Sequence, residues 1–260
     1  MRIALSIEYN GANYFGWQKQ KIHRTKTIQY HVDNAISKIA DENISTICAG
    51  RTDTGVHAFS QIVHFDTIRN RKDYKWIHGI NTFLPPDILI KDIYHVDNDF
   101  HARYSAIDRT YRYVILNQKN PSTYLRDNVL HYDNKISISK IRSTFKYFKG
   151  QKDYSSFRSS GCSAKDPLKH IKSMKITKNN SFVYIDIMAN SFLYHMVRNI
   201  VGALLDIGIS KNKPESINDL IKACDRKKCG KMVPASGLYL KSVSYPKKYH
   251  IVNTQEFNLF

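Results

Sequence analysis

Residues 44–67 read ISTICAGRTDTGVHAFSQIVHFDT. Two short runs rich in β-branched and aromatic residues, ISTICAG and FSQIVHFDT, flank a loop of small and polar residues, so the pattern is strand, loop, strand. At the centre of the loop lies one acid, Asp53, between Gly50 and Gly55 and two residues from Arg51. Asp-Thr-Gly is ordinary turn chemistry, because Asp bonds its own backbone and Gly takes the conformations other residues avoid. It is also half of an aspartic protease site, but that chemistry needs two carboxylates sharing a proton. Asp-Thr-Gly occurs once in the chain, and a nearby arginine favours a fixed negative charge over a shared proton. A third reading is a single ionised carboxylate used as nucleophile or base, held ionised and aimed by Arg51. On the residues alone, the turn and the reactive carboxylate both stand.

Working outward, the N-terminal stretch MRIALSIEYN places Ile3, Leu5, Ile7 and Tyr9 on one face of a strand and does not read as a signal peptide. A loop rich in glycine and aromatics follows, NGANYFGWQKQ. Ile28, Val32, Ala35, Ile36 and Ile39 then keep helical spacing, which predicts a helix over 27–41. Pro85 and Pro86 break the chain. TYRYVILN (110–117) alternates again and opens a second domain, followed by a helix at 139–149, a strand SFVYIDIMA, a long helix within NSFLYHMVRNIVGALLDIG and a last strand GLYLKSVSY. Ser191 is placed to cap the long helix and Gly208 to stop it. The succession predicts an α+β fold with two halves and mainly antiparallel sheets flanked by helices, not a doubly wound parallel sheet. The expected domains are 1–106 and 107–245, with a tail at 246–260.

Charge narrows the function. Lys and Arg number 40 against 22 acids, a net charge of +18 in 260 residues. Such a chain attracts polyanions, and the excess is spread over 19–26, 69–75, 149–152, 169–178 and 226–231 rather than held in one tail. Nucleic acid is the expected partner. No apolar run reaches membrane-spanning length. Cys48, Cys162, Cys224 and Cys229 form no C-x-x-C pair and lack a histidine at zinc spacing, so neither a metal nor a disulfide is expected, and the cytoplasm is the expected compartment.

In the long helix, Phe192, Met196, Ile200 and Leu204 form one apolar ridge, and Leu193, Val197, Val201 and Leu205 the next. His195, Arg198, Asn199, Gly202 and Asp206 fall within about 100° on the opposite arc. That arc is either a solvated face or a working one. Gly202 costs about 1 kcal/mol against alanine there, which suggests close approach by something; Arg198 is a candidate partner for a buried carboxylate. Tyr14, Phe15 and Trp17, and Tyr111 and Tyr113 around Arg112, read first as packing; interleaved with cations they also suit base stacking.

Taken together, YNGANYFGWQKQ, AGRTDTGVHA, FHARYSAIDRTYRY, SFR, NSFLYHMVRNIVGALLDIG and GLYL resemble the tRNA pseudouridine synthase A family, in order from about residue 3 to 245. The resemblance implies that Asp53 is the catalytic aspartate. Arg51 then opens and occupies the RNA stack, Tyr111 stacks on the target uracil, and Arg198 pairs with the aspartate. It implies two ferredoxin-like halves around a central basic cleft, a homodimer, no cofactor and no metal. The implied substrate is uridine at positions 38 to 40 of the tRNA anticodon stem-loop. Thr54 stands where the family often has alanine, the segment 226–234 matches weakly, and the tail matches nothing usable. A non-catalytic RNA-binding or chaperone module would account for the charge and the aromatics but not for a lone acid in a basic loop. A metal-dependent nuclease would need clustered carboxylates, and the acids here are scattered.

Overall fold

The computed structural model describes residues 1–162, 164–210 and 212–252. The chain forms two compact units, Met1–Asp108 together with 239–252, and Arg109–Leu238.

The first unit runs β1 (Arg2–Tyr9), α1 (Ile28–Ala40), β2 (Ile47–Cys48), β3 (His57–Asp66), α2 (Asp73–Phe83), β4 (Ile88–Val96). β1 lies between β4 and β3, antiparallel to both, and β2 pairs antiparallel with β3. This βαββαβ succession with β1 central is the ferredoxin-like arrangement expected. The central place of β1 explains why its alternation is incomplete: Ile3, Leu5 and Ile7 are fully buried, and Ala4 and Ser6 on the other face are buried as well. α1 follows the predicted stripe, with Ile28, Val32, Ala35 and Ile36 buried, and ends at Asp41 in the left-handed region. α2 and β4 were not anticipated. Only Trp76 and Ile80 of α2 are buried, too few apolar residues to show a period, and Gly79 interrupts it. Gly79 is there for packing, since a Cβ at that position would lie 2.8 Å from Ile39 Cδ1 on α1.

The second unit contains β5 (Asp108–Asn117), β6 (Leu130–Tyr132), α3 (Ile138–Phe148), β7 (Gly150–Asp153), β8 (Leu168–Asn179), β9 (Phe182–Ala189), α4 (Met196–Ile209) and α5 (Ser216–Ala223). Its strands run in the order β5, β9, β8, β7, each antiparallel to its neighbour, with β6 parallel to β5. Ser137 caps α3 by accepting from the Lys140 amide. The lysine-rich stretch 169–178 is no solvated run: it is most of β8, with Lys169, Ile171 and Ile176 buried.

Three boundaries differ from expectation. α4 begins at Met196, not near Ser191; the residue before it, His195, has φ 60° and breaks any helix running in from upstream. Phe192 and Leu193 mimic the helical period, but each packs from an irregular segment: Phe192 meets the Tyr111 ring edge-on at 5.0 Å, and Leu193 is buried. Gly208 lies inside the helix rather than after it, where a Cβ would stand 3.0 Å from Ile141 Cδ1. The last strand, β10 (Leu238–Ser244), was expected wholly in the second domain; from Tyr239 it belongs to the first unit, parallel to β3 with Tyr239 opposite His57. The Tyr239 ring stacks on His57 at 4.6 Å and Phe59 at 5.0 Å. The expected tail packs at its start, with Tyr249 buried against Phe100; residues 253–260 lie outside the described residues.

Candidate active site

The Asp53 loop joins β2 to β3. Asp53 and Val56 close a turn, the Val56 amide donating to the Asp53 carbonyl at 3.1 Å, with Gly55 at φ 76° in the position that demands a residue free to take positive φ. The stretch is a backbone turn, and it presents Asp53 half-buried, with Arg51 exposed and Thr52 buried. At the base of the loop, the Gln61 side chain bonds both the amide and the carbonyl of Gly50, and the Ala49 amide donates to Ile62.

Residues 9–17 form a second layer around this loop. The Trp17 amide donates to the Thr52 carbonyl at 3.0 Å, and the Gly55 amide donates to the Tyr14 carbonyl at 3.2 Å. The Tyr9 and Thr52 hydroxyls bond at 2.7 Å. The Gly11 amide donates to His57 Nδ1 at 3.1 Å, so this ring nitrogen carries no proton. Tyr14 donates its hydroxyl to Asp87, and burial pushes the phenol's pKa well up, reinforced by that carboxylate. Tyr14 and Trp17 are buried, so they are packing residues and not stacking platforms; Phe15 is partly exposed and stacks on His23 at 4.1 Å. Of the basic segment 19–26, Lys19 is tied internally to the buried Asp33 at 2.6 Å.

In the second unit Tyr111 is buried on β5 and Arg198 is partly exposed on α4. Arg198 donates through Nε to the Val233 carbonyl at 2.9 Å, and Tyr113 donates to the next carbonyl, that of Pro234, at 2.7 Å. Burial pushes the Tyr113 phenol's pKa strongly up, against the pull of the Arg198 charge. Arg112 points to the other face of the sheet, forked onto Asp186 at 2.6 and 2.7 Å over the Tyr184 ring. The arc expected on α4 is covered by the chain's own segment 226–233. Asn199 is fully buried, donates to the Phe157 carbonyl and accepts from Arg226. His195 is held neutral, its pKa lowered to about 4 by burial and then by Arg198 and Arg226.

A family model described as tRNA pseudouridine synthase matches residues 5–105 and 144–246. The chain belongs to the tRNA pseudouridine synthase family. Within that family it is 43% identical over 251 residues to the tRNA pseudouridine synthase A of Vibrio parahaemolyticus, covering 96% of this chain and 94% of that one. It is 44% identical over 261 residues to the corresponding protein of Legionella pneumophila strain Corby (100% and 98% covered) and 41% over 257 residues to that of Buchnera aphidicola (99% and 96%). A solved structure, the Cbf5-Nop10-Gar1 complex, matches with a TM-score of 0.37 at 12% identity over 79% of this chain and 45% of that one, too distant to inform the fold.

In this tRNA pseudouridine synthase family member, Asp53 and Arg51 sit in the first unit and Tyr111 and Arg198 in the second. Sequence reasoning did not pick out the Tyr9–Thr52 pair or the Arg226–Asn199 contact. Tyr9 and Thr52 are 43 positions apart, and neither residue type draws notice by itself. Asn199 stood in the expected arc, but its burial depends on a segment that resembles the family only weakly. Gly202 did carry a signal: a Cβ there would lie 2.1 Å from the Lys231 carbonyl oxygen, so the close approach expected at this glycine comes from the chain itself.

Proposed function

We propose that this protein isomerises uridine to pseudouridine in tRNA, at positions 38, 39 and 40 of the anticodon stem-loop, with Asp53 as the catalytic carboxylate. The observation that carries the reading is the near-full-length identity with relatives named tRNA pseudouridine synthase A. The reaction breaks the glycosidic C–N bond, turns the uracil and rejoins it to the ribose through carbon, so nothing is oxidised or hydrolysed overall. One carboxylate suffices for it, either adding to base or sugar or removing a ribose proton. A uridine in a stem must first be flipped out, at a cost of a few kcal/mol. In this reading Arg51 enters the RNA stack, Tyr111 stacks on the flipped uracil, Arg198 balances the Asp53 charge, and the net charge of +18 offsets part of the cost of extrusion. A homodimer working in the cytoplasm belongs to the same proposal.

The test is incubation with a tRNA transcript followed by pseudouridine mapping, with wild type beside Asp53→Asn. The variant keeps size and turn propensity and removes the charge. It is expected to bind tRNA and to leave every uridine unconverted; turnover by the purified variant overturns the assignment.

A further inference from the structure

Three constraints converge on one residue, Thr52, immediately before Asp53. Its hydroxyl is bonded to Tyr9 at 2.7 Å. Its carbonyl accepts from the Trp17 amide at 3.0 Å. Its backbone lies against Gly16, which has φ 82°; a Cβ at Gly16 would come 2.5 Å from the Thr52 carbonyl oxygen and 3.0 Å from the Asp53 carbonyl carbon. On the other side of Asp53, the Val56 amide holds the Asp53 carbonyl, and the Val56 carbonyl leaves no room for a side chain at Gly11, where a Cβ would clash outright. The peptide before Asp53 is thus tied to Trp17, and the one after it is bonded to Val56 and packed against Gly16.

The hydroxyl pair is the one part of this clamp that packing does not require. Tyr9 is 2% exposed and Thr52 6%, and phenylalanine and valine fill the same volumes. A bond between two buried neutral hydroxyls adds at most modest stability over apolar isosteres. Their bond does add direction, because it holds the Thr52 side chain in one rotamer and ties the residue next to Asp53 to β1. A reacting group misplaced by about 1 Å costs up to 100-fold in rate. We propose that Tyr9, acting through Thr52, is a positioning residue that orients the Asp53 carboxylate for the isomerisation. The inference rests on the reading of Asp53 as the catalytic group.

The experiment measures kcat and KM on a tRNA transcript for Tyr9→Phe, Thr52→Val, the double variant and Thr52→Ser, with thermal unfolding recorded for each. Tyr9→Phe and Thr52→Val are expected to lower kcat by about 10-fold each with KM within about 2-fold of wild type, as for an interaction that matters in the transition state. The double variant is expected to be no slower than the worse single, since both substitutions remove one bond. Thr52→Ser, which keeps the hydroxyl, is expected to recover most of the lost kcat. Should Thr52→Val fail to fold, Tyr9→Phe and Thr52→Ser carry the comparison. Wild-type kcat in folded Tyr9→Phe or Thr52→Val protein overturns the proposal, as does a serine variant as slow as the valine one. Asp53→Asn run in parallel separates the two layers. An active Asp53→Asn enzyme removes the catalytic reading itself; an inactive one beside unimpaired Tyr9 and Thr52 variants removes the positioning alone.

Discussion

Gly202 on α4 lies beneath the Lys231 carbonyl, so close that an alanine Cβ would come within 2.1 Å of that oxygen. The helix gives up side-chain volume there, and the segment 230–233 occupies it, bringing the Val233 carbonyl to Arg198. Gly202→Ala is normally a favourable helix substitution by about 1 kcal/mol. Here it must push that segment away, and overpacking of this kind costs about 1–3 kcal/mol. The expected result is a lower Tm, by several degrees, in calorimetry; a raised Tm contradicts the close approach.

Arg226, Lys227 and Lys228 look alike in the sequence and should behave differently. Arg226 donates to the Cys229 and Gly230 carbonyls and to the buried Asn199, whereas Lys227 and Lys228 are exposed. Arg226→Ala leaves the Asn199 oxygen without this donor and is expected to cost about 1–3 kcal/mol in denaturant unfolding. Lys227→Ala and Lys228→Ala are expected to stay within about 0.5 kcal/mol of wild type. Equal losses at all three positions count against the assignment.

His64 links stability to pH. It is 3% exposed, and its Nδ1 accepts from the Ala102 amide at 3.1 Å, a bond only the unprotonated nitrogen makes. Burial, then the charges of Arg2 and His101, lower its pKa from 6.5 to about 4, with Asp66 opposing. The folded pKa lies below the unfolded one, so between about 6.5 and 4 the unfolded chain takes up more protons. Stability is therefore full above that window and falls as pH drops through it. His195 in the second unit, also lowered to about 4, adds to the same slope. Denaturant titrations from pH 7 to 4.5 should show stability declining, and less steeply in His64→Gln.

Binding to tRNA should weaken steeply with salt, because contacts with phosphates release counterions. The logarithm of the affinity is expected to fall linearly with the logarithm of salt concentration, with a slope near −0.9 for each phosphate neutralised in duplex regions. A flat profile in filter binding contradicts the electrostatic argument.

The elements that could be read from the sequence are those whose buried face is long and periodic. α1 and α3 have apolar stripes and clear starts, and β3 and β5 carry dense β-branched and aromatic runs. α2 escaped because only two of its side chains are buried, and β8 because its lysines masked an alternation completed by neighbouring strands. The start of α4 was misplaced because Phe192 and Leu193 match the helical period while His195 takes a left-handed conformation. Nothing in the residue type announces that conformation.

By itself, the sequence determined that the protein is a basic α+β chain, that one isolated acid sits in a glycine-flanked turn, and which family the motifs resemble. Composition, periodicity and local turn chemistry are properties of neighbouring residues, so they survive in one dimension. The tertiary structure alone decided which glycines are pressed against a passing backbone, which arginines are held by carbonyls, and that Tyr9 reaches Thr52. Those facts depend on segments tens of residues apart meeting within hydrogen-bond distance, and no local pattern encodes that meeting.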